Sequence, residues 1–173
     1  TTGFILFLAA CVGVYLVWMN IETQVDKKAV QPFAHYVQCA SGRILAVDLT
    51  GLQTCNYRQL GVLSCNSSEN VVSQALTGKF ELPVGGLLTL SVDSGLLLHL
   101  ELLRGFPSDL VQKIDLAPGC TVSDDFVEQL PYFEHLAVLK LIGRDVSNKS
   151  LPYLDRISSL AYLNMSRNQI TAE

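Results

Sequence analysis

The chain has 173 residues, 49% hydrophobic and 16% charged, with 12 Gly and 6 Pro; this balance excludes a disordered or collagen-like polypeptide and suits one modest domain plus an apolar extra. A net charge of −4 and a pI of about 5.3, with no basic run, leave no electrostatic footprint for a phosphate backbone, so nucleic acid is not an expected partner. Five cysteines without paired C-x-x-C spacing build neither a disulfide scaffold nor a zinc ribbon.

Residues 3–19 (GFILFLAACVGVYLVWM) carry no charge and dominate the positive mean hydropathy of +0.32. As a helix they rise about 25 Å, the short end of what crosses a bilayer core. The stretch is therefore read as a transmembrane or signal-anchor helix, with Tyr15 and Trp18 placed for an aromatic interface belt. The expected localisation is a single-pass membrane protein with its following domain extracytoplasmic, although Lys27 and Lys28 taken alone would draw that domain to the cytoplasm. The run Leu8-Ala9-Ala10-Cys11 is similar to a bacterial lipobox, but the chain stays apolar after Cys11, where a lipoprotein turns polar. Starting at Thr1 without a basic leader points to residues missing upstream.

The polar, mixed-charge residues 20–31 (NIETQVDKKAVQ) read as a juxtamembrane linker. Residues 32–59 read as an N-terminal cap. Pro32 is placed to open a helix, with Phe33, Tyr36, Val37 and Ala40 at helical spacing, and the Ser41-Gly42 turn leads into a strand over 43–49.

From there the informative signal is internal repetition. A shift of 24 residues lays Val122, Val127, Leu130, Phe133, Leu136, Leu139 and Leu141 on Val146, Leu151, Leu154, Ile157, Leu160, Leu163 and Met165. Ile170 starts the next turn, and Ser123, Ser147 and Thr171 recur as the following hydroxyl. Upstream, Leu87, Leu90, Val92 and Leu98 precede Val111, Ile114, Leu116 and Val122 by the same interval. Each unit carries L-x-x-L-x-L: Leu87, Leu90, Val92; Val111, Ile114, Leu116; Leu136, Leu139, Leu141; Leu160, Leu163, Met165.

This pattern resembles the leucine-rich repeat family, in its bacterial-type form of about 24 residues. The match is closest over residues 160–170, with Asn168 in the Asn/Cys place, where Cys120 stands in an earlier unit. The pattern holds over 87–173 and extends to 60–173 if Leu60, Leu63 and Cys65 form a rung at a longer period of 27. It departs at Arg144 and around Gly95. Stopping at Glu173, where a convex helix should begin, suggests truncation at the C-terminus.

The resemblance implies an α/β solenoid, with parallel strands on a concave face and short helices on a convex one. Ser123 and Ser147 are natural helix N-caps, and Asp124 and Asp125 suit the positive helix end. Alternation along the strands sends Leu139 and Leu141 inward and leaves an outward contact row: Thr89, Ser91 and Asp93; Lys113 and Asp115; Val138, Lys140 and Ile142; Tyr162, Asn164 and Ser166. Extracytoplasmic repeat proteins often carry a disulfide across the cap. One bridge among Cys39, Cys55 and Cys65 would leave one thiol over, and reduced structural cysteine is the alternative. Sequons begin at Asn66, Asn148 and Asn164 and matter only in a eukaryotic secretory setting.

The sequence carries no recognisable catalytic motif. His35, His99 and His135 lack zinc-site spacing, and neither G-x-S-x-G, a P-loop nor G-x-G-x-x-G occurs. The expectation is therefore a non-enzymatic protein without cofactor or metal, anchored to the membrane by its N-terminal helix, that binds a protein or peptide ligand through its concave face. The alternatives are an anchor or spacer fragment of a larger enzyme or signalling protein, and a purely structural surface protein.

Overall fold

The computed structural model describes residues 32–50, 60–66, 71–143 and 145–171, all within the unit Pro32–Glu173. The apolar segment 3–19 and the linker 20–31 lie outside the described residues.

Pro32 does not open a helix. Ala34–Cys39 (β1) is a strand, and the chain returns as Gly42–Asp48 (β2), paired antiparallel from Ala34↔Val47 to Cys39↔Gly42. The spacing of Phe33, Tyr36, Val37 and Ala40 fits a helix face, but hairpin pairing overrides it. Ala34 is buried and Tyr36 half-buried, while His35 and Val37 face solvent. Gly42, at φ +121°, supplies the reversal.

Four strands follow: Gly61–Asn66 (β3), Val71–Ala75 (β4), Lys79–Val84 (β5) and Leu87–Val92 (β6). Later come Lys113–Leu116 (β7), Val138–Lys140 (β8) and Tyr162–Asn164 (β9). The strands form a three-stranded sheet, β1-β2-β5, and a six-stranded sheet, β4-β3-β6-β7-β8-β9.

The expected fold class, a solenoid of parallel strands behind a transmembrane helix, is corrected here. The smaller sheet is antiparallel, and the larger one is mixed, because β3 runs antiparallel to both β4 and β6. Connection length explains two of these pairings: parallel neighbours need a crossover of a dozen or more residues, and β1–β2 and β3–β4 are joined by only two and four. Leu60, Leu63 and Cys65 accordingly do not form a 27-residue rung. Leu63 sits opposite Leu90 and Cys65 opposite Leu88, in antiparallel register. Among the described strands the parallel ones are β6 to β9, with Leu90↔Ile114, Ile114↔Leu139 and Leu139↔Leu163 aligned.

The expected membrane placement is corrected too. Among the described residues no helix is long and apolar enough to cross a membrane, and the segment 3–19, on which the single-pass, extracytoplasmic localisation rests, lies outside them.

The crossovers between parallel strands contain Ser94–Leu98 (α1), Asp124–Gln129 (α2) and Leu151–Asp155 (α3), each adjoining a 3-10 turn. Asp93 caps α1 by accepting from the Ser94 N–H at 2.6 Å. Ser147 caps the 3-10 turn Asn148–Ser150 by accepting from Lys149 N. Ser123 holds the cap position of α2 without such a bond.

The core lies between the inner side of these strands and the crossovers. Leu88, Leu90, Val92, Ile114 and Leu139 on the strands and Leu96, Leu103, Phe106, Val111, Phe126, Val127, Leu130, Phe133 and Leu136 in the crossovers are all buried. Each such side chain contributes about 1.5–3 kcal/mol by leaving water. A side clasp joins the smaller sheet to the first crossover. The Phe33 ring meets Phe106 edge-on at 5.0 Å and covers Gly105, and Arg43 lies 3.5 Å over the Tyr36 ring while its guanidinium reaches Asp109 at 3.4 Å.

Candidate protein-binding face

The outward face of the parallel strands is the candidate site, and its geometry follows from strand register. Thr89↔Lys113, Lys113↔Val138 and Val138↔Tyr162 form one continuous row. In the next row Ser91 lies opposite Asp115, and Lys140 opposite Asn164. Neighbouring side chains across such strands stand about 4.8–5.5 Å apart, so the first row is a connected surface, while the second is paired in two separate steps. Of the eleven residues expected to face outward, eight therefore lie in register-locked strand positions.

The other three follow strand ends. Asp93 is committed to the α1 cap, and its carboxylate also lies 3.7 Å from the Cys120 thiol. Ile142 is 42% exposed in the turn after β8, just before Gly143 at φ +61°. Ser166 lies in the turn after β9, where its N–H donates to Asn164 Oδ1 at 3.1 Å and its carbonyl accepts from Gly143 N.

Charge on this face is unevenly distributed. Lys113 pairs with Asp115 at 3.3 Å along the same strand. Ion pairs among the described residues do not involve Lys140. Tyr162 is 49% exposed and stands beside half-buried Val138.

Leu87 and Leu163 belong to the exposed surface although the repeat reading places both inside. Leu87 is 41% exposed while Leu88 is fully buried. The cause is β6 pairing with β3 as far as Asn66↔Leu87, which lengthens the strand and extends its alternation one step backward. Strict alternation over residues 87–92 would have revealed this. Leu163 is in register with three fully buried residues yet is 42% exposed, because β9 is the outermost strand of its sheet.

Polar ladders hold the frame. Asn168 donates to the Leu141 and Met165 carbonyls and accepts from Val146 N. Cys120, in the equivalent place, is buried, with its thiol directed at the Val92 carbonyl 4.0 Å away. On the crossover side Asp124 accepts from Ser147 N, Ser147 Oγ and Ser150 Oγ. Burial opposes ionisation of Asp124, but those hydrogen bonds, with Lys149 nearby, outweigh it and hold the carboxyl below its ordinary range. The Asn148 amide is engaged with Thr171 in both directions.

Among the described residues no group of His, Cys, Asp and Glu could hold a metal ion. The thiols of Cys39 and Cys65 are free; Cys55 lies outside the described residues. Compared with known proteins, the chain matches no family model, no curated protein and no solved structure.

Proposed function

We propose that this chain is a recognition module, similar in its repeat to leucine-rich repeat proteins, that binds a protein or peptide across the outward face of β6 to β9. The observation that carries this reading is the unbroken in-register row Thr89, Lys113, Val138, Tyr162, which ends on an aromatic side chain 49% exposed. Tyrosine is enriched at interface centres because it contributes large contact area with few rotors and keeps a polar tip. Apolar Val138 and Ile142 flank polar Lys140 and Asn164, a mixture suited to a surface that is wet when empty and buried when filled.

The test is selection of random peptides on the immobilised full chain, followed by binding of the selected peptides to variants. Tyr162→Ala is expected to weaken them about tenfold. Leu98→Ser, which changes the 79% exposed residue at the end of α1, is expected to leave binding intact. Equal binding to the wild type and Tyr162→Ala would remove the proposed face.

A further inference from the structure

Val138 and Lys140 share one side of β8, and Ile142, 42% exposed, follows two residues later in the turn before Gly143, so an apolar, a cationic and an apolar side chain succeed one another along the chain. Alternate residues of an extended chain stand about 6.5–7 Å apart. An extended peptide lying along β8 presents its own alternate side chains at the same interval, so the complement of this row is apolar, anionic, apolar at every second residue.

The other charges on the face are already engaged: Lys113 with Asp115, and Asp93 with the start of α1. Lys140 has no ion-pair partner among the described residues and is bordered by Asn164 across the strand pair, with Tyr162 beside Val138. An incoming carboxylate therefore meets an ammonium that need not leave another anion first. The flanking apolar groups limit its access to water and strengthen that attraction.

We infer that the partner of this face is an extended peptide segment in which a carboxylate residue is flanked, two positions away on each side, by large apolar residues. The carboxylate is held by Lys140, and the apolar pair rests on Val138 with Tyr162 at one end and on Ile142 at the other. This rests on the recognition reading above and specifies its ligand.

The experiment uses fluorescein-labelled pentapeptides and the full chain, with binding read as anisotropy. The probes are Leu-Ser-Glu-Ser-Leu, its Gln and Lys analogues, and the composition-matched Ser-Leu-Glu-Leu-Ser, all capped at both ends. The Glu peptide is expected to bind about fivefold tighter than the Lys peptide at low salt, with the difference shrinking as salt rises. It is expected to bind tighter than the rearranged peptide as well. Lys140→Glu should reverse the charge preference, and Lys140→Gln should abolish it. Circular dichroism checks that both variants fold.

Equal binding of Glu and Lys peptides, equal binding of the rearranged peptide, no binding at millimolar concentration, or an unreversed preference in Lys140→Glu would each overturn the inference. Those results leave the recognition reading standing if library-selected peptides still depend on Tyr162. If they do not, that reading falls as well.

Discussion

Asp124 shows how one residue ties two repeat units together. Its carboxylate accepts three hydrogen bonds from Ser147 and Ser150, and Ser150 is fully buried. Asp124→Ala leaves the Ser150 hydroxyl without that acceptor, so urea denaturation should show a loss of about 1–3 kcal/mol. A carboxyl with a lowered folded pKa contributes stability above its unfolded value, about 3.9, and loses it as pH falls through the folded value. Acid titration of stability should therefore be shallower below about pH 4 in Asp124→Asn than in the wild type; identical curves would separate Asp124 from acid sensitivity. At Gly105 a methyl group would overlap the Phe33 ring. Gly105→Ala should cost about 1–3 kcal/mol, and adding Phe33→Leu should recover part of it in a double-mutant cycle.

At the scale of elements, the same leucine position has different worth on different strands. Leu139 is fully buried between β7 and β9, whereas its partner Leu163 is 42% exposed on the edge. Leu139→Ala should destabilise by about 2–5 kcal/mol, and Leu163→Ala by about 1 kcal/mol or less, in chemical denaturation. Equal losses would mean that β9 is covered in solution. The interval of 24 residues made the alignment of these positions readable, since each rung repeats the same inward residue. It could not show where β6 begins, because Leu87 turns outward only through the longer pairing with β3. The helix expected after Pro32 failed for a related reason. Residues spaced three and four apart also fit alternate faces of a strand, and the short turn to β2 selected the hairpin.

Across the whole molecule, stability should be graded along the larger sheet. The inward residues of β6 are wholly buried, while among the described strands β9 pairs with β8 alone. Amide hydrogen exchange should accordingly be faster over β9 than over β6 under native conditions. Uniform protection would instead indicate one cooperative unit from β3 to β9. The clasp between the smaller sheet and the first crossover adds a second joint. Burial, followed by the hydrogen bond that Asp109 accepts, pushes the Tyr36 phenol above its ordinary value.

What the sequence by itself determined is the repeated part: a period that spaces β6 to β9 evenly, an apolar column at Leu90, Ile114 and Leu139, and the outward row opposite it. Periodicity is local information, and crossovers of near-constant length convert it directly into register. The tertiary structure alone decided how the first half of the chain joins that sheet. β3 and β4 enter antiparallel, β5 leaves for a separate sheet, and Phe33 and Arg43 lock onto residues more than sixty positions away. Those choices depend on turn length and long-range packing, and no repeat in the sequence encodes either.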